Sequence, residues 1–319
     1  MKLLVTGGAG FIGTNFIYYM REKYPDYKIV NVDALTYCGR RENLSSLEQD
    51  KNYRFVQGKI EDEAFIWKLF EEEQFDMVVN FAAETFVDRS LKNPGVFLTS
   101  NVMGTYSLLE AAVKHGVKRF HQVSTDEVYG DLEIEDIDSF FTEESPIRPS
   151  SPYSASKAGA DMLVLSYYRS FGLPVTISRC SNNYGPYQYS EKLIPLIICR
   201  AMNNESVPVY GDGKNVRDWL YVEDHCRAID LILHYGNPGE VYNVGGHNEH
   251  SNLEIVKMLL TTLDKPLELI TFVEDRKGHD KRYAINPEKI EKELGWKSSY
   301  SFGEGLERTI NYYLQGKKL

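Results

Sequence analysis

A tyrosine and a lysine four residues apart, Tyr153 and Lys157, form a pair with a clear chemical use. Ser150 and Ser151 precede them as candidate helix caps, and Pro152 is tolerated in a first helical turn. Residues four apart lie on one face of a helix, so we expect the two side chains to be neighbours. A nearby ammonium lowers the pKa of a tyrosine, and such a tyrosine can accept a hydroxyl proton while hydride leaves the carbon.

Two adjacent carboxylic acids, Asp126 and Glu127, follow Thr125 at the end of the predicted strand Arg119–Ser124. Ligands of open α/β sheets bind beyond the carboxyl ends of the strands, so this pair should lie over the site. Most Asp-Glu pairs lie in solvated surface turns. Here the position of the pair, beyond the carboxyl end of a predicted strand, favours a catalytic role instead. Hydride transfer alone needs only the tyrosine and a cofactor, whereas an elimination needs an acid and a base. The pair therefore indicates an elimination.

A glycine-rich loop follows the first predicted strand and opens the first predicted helix. Gly7, Gly10 and Gly13 permit a tight turn and a close approach of the backbone to a pyrophosphate, which the helix N-terminus attracts. Asp33 lies 20 residues after Gly13, where an acid binds the ribose 2′-hydroxyl of NAD and would repel the 2′-phosphate of NADP. Two nearby arginines (Arg40–Arg41) could restore NADP binding, although a solvated helix face is the commoner role for such residues. The loop and the acid together predict NAD.

Short apolar runs alternate with longer helical patterns in the first part of the chain. The predicted strands are Leu3–Thr6, Ile29–Val32, Phe55–Val56, Met77–Phe81, Arg119–Ser124 and Val175–Arg179. The predicted helices are Phe11–Lys23, Glu63–Glu73, Thr99–His115 and Tyr153–Phe171. Strict alternation implies parallel strands that are joined by right-handed crossovers. We therefore predict an α/β fold with a doubly wound parallel Rossmann sheet.

The alternation weakens after about Arg179, where loops rich in Asn, Gly, Pro and Tyr appear. This change predicts a smaller, interleaved C-terminal α/β domain that binds the substrate. The segment Arg217–His234 is predicted to be a strand and a helix that return to the first domain. The expected division assigns residues 1–179 and about 216–235 to the NAD-binding domain. It assigns residues 180–215 and 236–319 to the substrate domain.

The composition narrows the possible partners and compartments. The chain has 319 residues and a formal net charge of -10, which disfavours binding to nucleic acid or membranes because both are polyanionic. The four cysteines contain no Cys-x-x-Cys pair, so we expect reduced thiols and no metal site; they are Cys38, Cys180, Cys199 and Cys226. The apolar run Leu3–Val5 is too short for a signal or membrane segment, and we expect a cytoplasmic protein.

Several motifs closely resemble the extended short-chain dehydrogenase/reductases and, among them, the dTDP-glucose 4,6-dehydratases. These motifs are Val123–Gly130, Ser151–Lys157, Cys180–Tyr187, Glu191–Pro195, Arg217–Asp224 and Asp275–Asp280. The similarity extends from Met1 to about Tyr313. It implies an NAD-dependent lyase of deoxysugar biosynthesis that acts on a nucleotide-linked hexose and forms a homodimer.

The resemblance implies a role for each catalytic position. Tyr153 would take the C4 hydroxyl proton as hydride passes from C4 to NAD, with Thr125 bonded to the same oxygen. The ketone makes the C5 hydrogen acidic, so that Glu127 would remove it while protonated Asp126 donates to the departing C6 hydroxyl. Hydride would then return to C6 and give a 4-keto-6-deoxy sugar. Lys157 can also bond to the nicotinamide ribose.

Binding positions are expected on both sides of the reacting carbons. The expected cofactor-binding residues are Gly7, Gly10, Phe11, Ile12, Gly13, Asp33, Ala82, Ala83, Asn101, Tyr153 and Lys157. The expected substrate-binding residues are Thr85, Phe86, Asn182, Glu191, Lys192, Leu193, Tyr210, Arg217, Asn243, Arg276 and His279. Arginine suits a diphosphate because its guanidinium donates hydrogen bonds in pairs, and a tyrosine can lie against a base ring.

The chain departs from the family at a few positions. Thr85 and Phe86 replace the usual Ser-His, and Ala34 and Lys59 replace residues that are common near the adenine. Thr85 and Phe86 follow the strand Met77–Phe81, so we expect them to face the hexose. An apolar ring there would tolerate a methyl group. UDP-N-acetylglucosamine is therefore a candidate substrate beside dTDP-glucose, unless Phe86 packs under the loop instead.

Other functions remain open at this stage. A variant dehydratase would re-reduce C4 and release a 5,6-ene, and a 4-epimerase would need the tyrosine and lysine without the acid pair. From a different class, a non-catalytic NAD-binding scaffold would use the same fold, although it has no reason to keep Asp126 and Glu127.

The homodimer is expected to form through the helices Thr99–His115 and Tyr153–Phe171. Their apolar residues exceed what one sheet face needs, although ordinary core packing would also account for them. Those residues include Leu108, Leu109, Leu163 and Leu165.

Overall fold

Twelve strands and eleven α-helices are present in the computed structural model, which describes residues 1–275 and 278–315. The strands are β1 (Lys2–Thr6), β2 (Lys28–Asp33), β3 (Tyr53–Gln57), β4 (Met77–Asn80), β5 (Arg119–Thr125), β6 (Val175–Cys180), β7 (Asn182–Tyr184), β8 (Val207–Tyr210), β9 (Val216–Tyr221), β10 (Glu240–Val244), β11 (Glu249–Ser251) and β12 (Ile270–Val273). The helices are α1 (Phe11–Lys23), α2 (Glu63–Glu73), α3 (Val87–Lys92), α4 (Pro94–Phe97), α5 (Gly104–Lys114), α6 (Pro152–Phe171), α7 (Leu193–Met202), α8 (Val222–Tyr235), α9 (Asn252–Thr262), α10 (Glu288–Leu294) and α11 (Phe302–Leu314).

The central sheet contains seven strands in the order β10-β6-β5-β4-β1-β2-β3, and every pairing in it is parallel. The order in which strands are added changes direction at β1. Strands β2 and β3 lie on one side of β1, and strands β4, β5 and β6 lie on its other side. This is the doubly wound order, and the predicted Rossmann sheet is confirmed.

Helices cover both faces of this sheet, which explains why central strands such as β1 and β4 are buried along nearly their whole length. Successive residues of a strand point to opposite faces. Leu4 therefore packs in one cluster with residues of α2, α5 and α6, while Leu3 and Val5 pack in another with residues of α1 and α8. All three side chains are fully buried. The two clusters fix the carboxyl ends of β1, β2, β4 and β5 along one edge of the sheet.

The predicted helix Thr99–His115 differs from the observed structure. The helical region begins at Pro94 with α4, continues through a π-helical turn at Leu98–Met103 and ends with α5. The wide turn contains Asn101, whose amide donates to the carbonyl of Glu84 at 3.0 Å and accepts from its N–H at 2.8 Å. Apolar periodicity does not reveal such a turn, because the widening is tied to a contact with a distant loop.

The C-terminal part contains small sheets and a second core. β9 pairs with β7 and β11, and β8 pairs with β12. α8 packs on α1 and the central sheet, as predicted for the helix of Arg217–His234, but the strand of that segment does not return to the central sheet. β10 joins the edge of the central sheet beside β6. Residues of α7, α9 and α11 form the second core with the small strands.

All four cysteines are free thiols. Between residues 1 and 275 and between 278 and 315, no cluster of His, Cys, Asp and Glu has the size of a metal site. Over the same two ranges, none of the helices combines the length and the apolarity that crossing a bilayer requires.

Candidate active site

A cavity of about 320 Å³ opens at the carboxyl ends of β1, β2, β4 and β5, which is a typical size for a small-molecule site. It runs from the glycine-rich loop to the segment before α7. Most of the predicted site residues line it, namely Gly7, Gly10, Phe11, Ile12, Gly13, Asp33, Ala82, Ala83, Thr85, Thr125, Asp126, Glu127, Tyr153, Lys157, Asn182, Glu191 and Lys192. These residues therefore lie together at the carboxyl ends of the strands, where ligands of open α/β sheets are expected to bind.

The glycine-rich loop has the shape that a dinucleotide requires. Gly7 has φ +68°, and a Cβ there would lie 2.6 Å from the Ala82 nitrogen. A Cβ on Gly13 would lie 2.5 Å from the Gly7 carbonyl oxygen. Side chains at these positions would clash with the backbone that forms the cradle, which leads directly into α1. The open backbone at a helix N-terminus fits the pyrophosphate of NAD.

Asp33 ends β2 and lines the cavity. Its carboxylate accepts hydrogen bonds from the backbone N–H groups of Ala9 at 2.9 Å and Leu35 at 2.8 Å. Burial raises the pKa of Asp33, and these two bonds oppose that effect. The carboxylate is therefore oriented by backbone on both sides, and it retains lone pairs for the hydroxyls of a ribose.

The two arginines that were considered for NADP have other partners. Arg41 forms an ion pair with Glu48 at 3.2 Å and lies over the ring of Phe55. The Arg40 guanidinium lies 5.2 Å from the centroid of Tyr189. These contacts give each guanidinium a partner within the protein, which supports a preference for NAD.

The acid pair lies in a short 3₁₀ turn that Thr125 caps. The Thr125 hydroxyl accepts from the Glu127 N–H at 3.3 Å and donates to an Asp126 oxygen at 3.3 Å. Asp126 is buried, and its Oδ2 has no hydrogen-bond partner within the described part of the chain. Burial, followed by the nearby carboxyls of Glu127 and Asp218, raises the pKa of Asp126 well above its usual value. The raised pKa favours the protonated form of Asp126, which lies beside a second, half-buried carboxyl, Glu127.

The tyrosine and lysine lie in the first turns of α6. A capping box of Ser151 and Ser154 begins the helix, with Pro152 in its first turn. Both Tyr153 and Lys157 are buried and line the cavity, as expected from their spacing.

The expected lowering of the Tyr153 pKa by the lysine is wrong for the protein alone. Burial, followed by the charge of Glu127, raises the pKa of Tyr153 well above its usual value. Burial also lowers the pKa of Lys157, whose ammonium donates to the Val123 carbonyl at 2.7 Å. Sequence spacing places the pair correctly but does not show how strongly desolvation disfavours a buried phenolate.

The substrate end of the cavity combines residues of distant segments. Asn182 comes from β7, Thr85 follows β4, and Glu191 and Lys192 precede α7. The Lys192 ammonium donates to the Thr85 carbonyl at 3.4 Å, which links the segment before α7 to the loop after β4. Burial raises the pKa of Glu191.

Several predicted residues do not line this cavity. Phe86 immediately precedes α3, and its ring lies against the Lys192 ammonium and not on the cavity wall, where it was expected to face the hexose. Asn101 holds the Glu84 backbone, as described above. Asn243 accepts from the Tyr129 hydroxyl at 2.7 Å and donates to a backbone carbonyl, which engages both ends of its amide.

The remaining substrate predictions concern residues near the C-terminal small sheets. Arg217 is buried and donates to the Asp280 carbonyl at 2.8 Å. Tyr210 is exposed, with its ring centroid 6.4 Å from that of His279. Leu193 is the first residue of α7. Arg276 lies outside the described residues. A nucleotide-binding role for each of these residues stays a prediction.

Asp218 is a functional candidate that the sequence analysis missed. It is buried on β9, accepts from the N–H groups of Gly246 at 2.8 Å and Asn248 at 2.7 Å, and raises the pKa of Asp126. The motif that contains it was noted only for its neighbour Arg217. The sequence carries no signal that places β9 next to the acid pair, because that contact is made across the two sheets.

Comparison with known proteins agrees with this geometry. A family model described as GDP-mannose 4,6 dehydratase matches residues 4–309. The chain is 49% identical over 329 residues to the dTDP-glucose 4,6-dehydratase of Xanthomonas campestris pv. campestris (strain B100), covering 98% of this chain and 92% of that protein. It is 50% identical over 314 residues to the low-salt glycan biosynthesis protein Agl12 of Haloferax volcanii, with coverage of 98% and 99%.

A solved structure is also closely similar. The crystal structure of DesIV, a dTDP-glucose 4,6-dehydratase from Streptomyces venezuelae with NAD and TYD bound, matches with a TM-score of 0.95 and 46% identity, over 99% of this chain and 98% of that one. The family match spans nearly the whole chain, and these relatives are aligned over almost their full length. The chain therefore belongs to the GDP-mannose 4,6-dehydratase family, within the extended short-chain dehydrogenase/reductases that its motifs resemble.

Proposed function

We propose that this protein is an NAD-dependent dTDP-glucose 4,6-dehydratase. It would oxidise C4 of the hexose, eliminate water across C5 and C6, and reduce C6 to give a 4-keto-6-deoxy sugar. The observation that carries this proposal is the presence, in one cavity, of a buried tyrosine and a buried Asp126, whose pKa is raised, beside the second carboxyl, Glu127. The central sheet would bind NAD. Segments 180–215 and 236–319, apart from β10, would supply the nucleotide-sugar contacts.

Oxidation at C4 begins with proton transfer to Tyr153. Bound NAD supplies a reversible hydride acceptor whose positive charge favours the phenolate. The Tyr153 phenolate takes the C4 hydroxyl proton, and Thr125, which hydrogen-bonds to Tyr153, orients the same oxygen. Lys157 adds an ammonium to this wall of the cavity. The product of this step is a ketone next to C5.

The acid pair then carries out the elimination. The ketone makes the C5 hydrogen acidic, and Glu127 accepts it. Asp126 gives its proton to the C6 hydroxyl, which leaves as water, because hydroxide is a poor leaving group. When hydride returns to C6, Glu127 returns its proton to C5. Tyr153 has then gained one proton and Asp126 has lost one, and the Thr125 hydroxyl contacts both groups. Through the Thr125 hydroxyl a proton can pass from Tyr153 to Asp126, which restores the starting protonation of both groups.

The same geometry weighs against the other functions. A 4-epimerase or a binding scaffold has no use for a buried carboxyl such as Asp126, whose Oδ2 has no hydrogen-bond partner in the described part of the chain and therefore costs stability. Release of a 5,6-ene would require hydride to return to C4 instead of C6. Analysis of the reaction product separates that outcome from the proposed one.

Substrate choice tests the proposal. Because Phe86 does not line the cavity, the argument for an acetamido sugar loses its support. We expect protein purified without added NAD to convert dTDP-glucose to its 4-keto-6-deoxy product, with kcat/KM at least about tenfold above that for UDP-N-acetylglucosamine. Product identification by NMR and initial rates provide the measurement. A preference for the UDP sugar, or a 5,6-ene product, would overturn this assignment.

We propose that the chain forms a homodimer through α6 and the π-helical turn before α5. The leucines first considered do not support it, because Leu108 and Leu109 are core residues and Leu163 and Leu165 pack against that core. Other apolar side chains on this face are exposed: Leu98 by 55%, Met103 by 48% and Met162 by 46%. A neighbouring copy would remove these side chains from water.

Charge substitution tests the dimer. We expect Met103→Glu combined with Met162→Glu to convert the dimer to a monomer, because a buried unpaired carboxylate is costly in an interface. Sedimentation velocity at assay concentration provides the measurement. Tyr235→Glu, at an exposed position on α8, is the matched control and should stay dimeric. A wild-type monomer with full activity would refute the proposal.

A further inference from the structure

We propose that the residues between β7 and α7 (185–192) form a strap that closes the cavity over bound NAD, and that the contact between Arg40 and Tyr189 sets how slowly NAD leaves. The inference rests on the cofactor part of the proposed function and deepens it. A reaction that oxidises and reduces the same hexose leaves NAD unchanged, so turnover does not require the release of NAD.

The strap crosses the end of α1 at which the pyrophosphate of NAD is expected. α1 begins at Phe11, directly after the glycine-rich loop. The side-chain amide of Asn15, one turn later, donates to the carbonyls of Phe11 and Pro186, both at 2.9 Å. Gln188 and Tyr189 of the strap line the same cavity as the glycine-rich loop. Bound NAD would therefore lie between the strap and that loop.

The first half of the strap is fixed to α1 and α11. The Tyr313 hydroxyl donates to the Gln188 carbonyl at 2.7 Å. Tyr187 has φ +67°, a conformation that bulky residues rarely adopt, and its ring centroid lies 5.9 Å from that of Tyr18 and 5.0 Å from that of Tyr312. Such strain persists where surrounding contacts impose it, and it is common in segments that clamp a ligand. Opening would therefore begin in the part of the strap after Gln188.

Tyr189 joins this second half to the loop after β2. Its ring lies edge-on to the ring of Tyr37, with centroids 6.0 Å apart, and its centroid is 5.2 Å from the Arg40 guanidinium. A cation at this distance is attracted to the face of an aromatic ring. The Arg40 N–H donates to the Ala9 carbonyl at 2.9 Å, within the glycine-rich loop. The contact between Arg40 and Tyr189 therefore connects the strap to the loop that would hold the pyrophosphate.

Arg40 is a positioning residue in this account. Tyr37 and Tyr189 line the cavity, whereas Arg40 does not, so its side chain acts on NAD through the strap. The contact exists in the closed form of the strap and is broken in the open form. Its loss should therefore speed the release of NAD without changing the groups that contact the reacting carbons.

Exchange of bound NAD for deuterium-labelled NAD tests the strap in the NAD-loaded protein. Rapid desalting followed by mass spectrometry of the bound cofactor gives the exchange rate. We expect Arg40→Met to speed exchange about threefold to tenfold, because methionine carries no charge. Arg40→Lys keeps the cation and should stay within about twofold of the wild type. In a Tyr189→Leu background, Arg40→Met should change the rate by less than about twofold, because the partner ring is already missing.

The neighbouring arginine supplies a matched control. Arg41→Met removes the same charge one residue later, where the guanidinium pairs with Glu48 at 3.2 Å and lies over the ring of Phe55. Exchange in this variant should stay within about twofold of the wild type. Turnover of dTDP-glucose is a second readout. With saturating NAD, Arg40→Met should keep kcat within about twofold, because Arg40 lies outside the cavity.

The possible failures are distinguishable. If the wild type is purified without bound NAD, the cofactor part of the proposed function fails. If the wild type holds NAD and Arg40→Met exchanges it at the wild-type rate, the inference alone is overturned. Equal acceleration in Arg41→Met also overturns it, because the loss of charge would then explain the effect. An equal effect of Arg40→Met with and without the Tyr189 ring overturns it as well, because the two side chains would then act independently.

Discussion

Glu127→Gln should lower the rate of dehydration by roughly 10²- to 10⁴-fold while bound NAD is still reduced when substrate is added. Glutamine has the shape of glutamate but cannot accept the C5 proton, so the reaction should stop at the C4 ketone. The Glu127 carboxylate is among the groups that raise the pKa of Tyr153. Removing its charge should therefore not slow C4 oxidation. Rapid-mixing absorbance follows the cofactor, and NMR follows the product.

Two controls accompany this prediction. Glu133→Gln changes an exposed carboxyl that pairs with Lys281, and it should retain the wild-type rate. Tyr153→Phe should instead suppress cofactor reduction itself, because the phenol is then missing. If Glu127→Gln dehydrates at the wild-type rate, or if it cannot oxidise C4, the role given to Glu127 is incorrect.

Asp126→Asn should also lose dehydration by roughly 10²- to 10⁴-fold, because asparagine cannot protonate the C6 hydroxyl. The same substitution should make the fold more stable at neutral pH. The pKa of Asp126 is raised well above the ordinary value of about 3.9, so the folded state binds more protons than the unfolded state at intermediate pH. Stability is then lost as the pH rises from about 4 through the raised pKa.

The pH dependence separates this effect from a simple packing change. Asparagine does not titrate, so the Tm difference between Asp126→Asn and the wild type should grow as the pH rises above about 4. The wild-type kcat should fall as the pH passes the raised pKa of Asp126, since only the protonated form is an acid. A Tm difference that is constant with pH would mean that Asp126 is ionised in the folded protein.

Much of this fold can be predicted from short stretches of sequence, because apolar periodicity and helix ends are set by residues close together in the chain. α1 and α2 have the predicted bounds, since each has a continuous apolar stripe with clear ends. The acid pair and Tyr153 lie at the cavity because parallel strands end along one edge. This geometric rule needs no knowledge of side-chain contacts.

Long-range contacts account for what the sequence did not reveal. β9 and β10 join different sheets, although both are short strands of mixed polar and apolar residues, because pairing depends on partners that are distant in the chain. The pKa of Tyr153 is raised by burial and by the nearby charge of Glu127, a residue that lies on a different element of the fold. The ring of Phe86 faces Lys192, a residue 106 positions later, and spacing along the chain cannot indicate that contact.

The proposed reaction oxidises one hexose at C4 and reduces the same hexose at C6 within a single catalytic cycle. Turnover of dTDP-glucose that carries deuterium at C4, with no NAD added, tests it directly by NMR and mass spectrometry of the product. The account predicts a 4-keto-6-deoxy product that retains the deuterium at C6. Deuterium that remains at C4 or is lost to solvent, or a reaction that consumes added NAD, would contradict it.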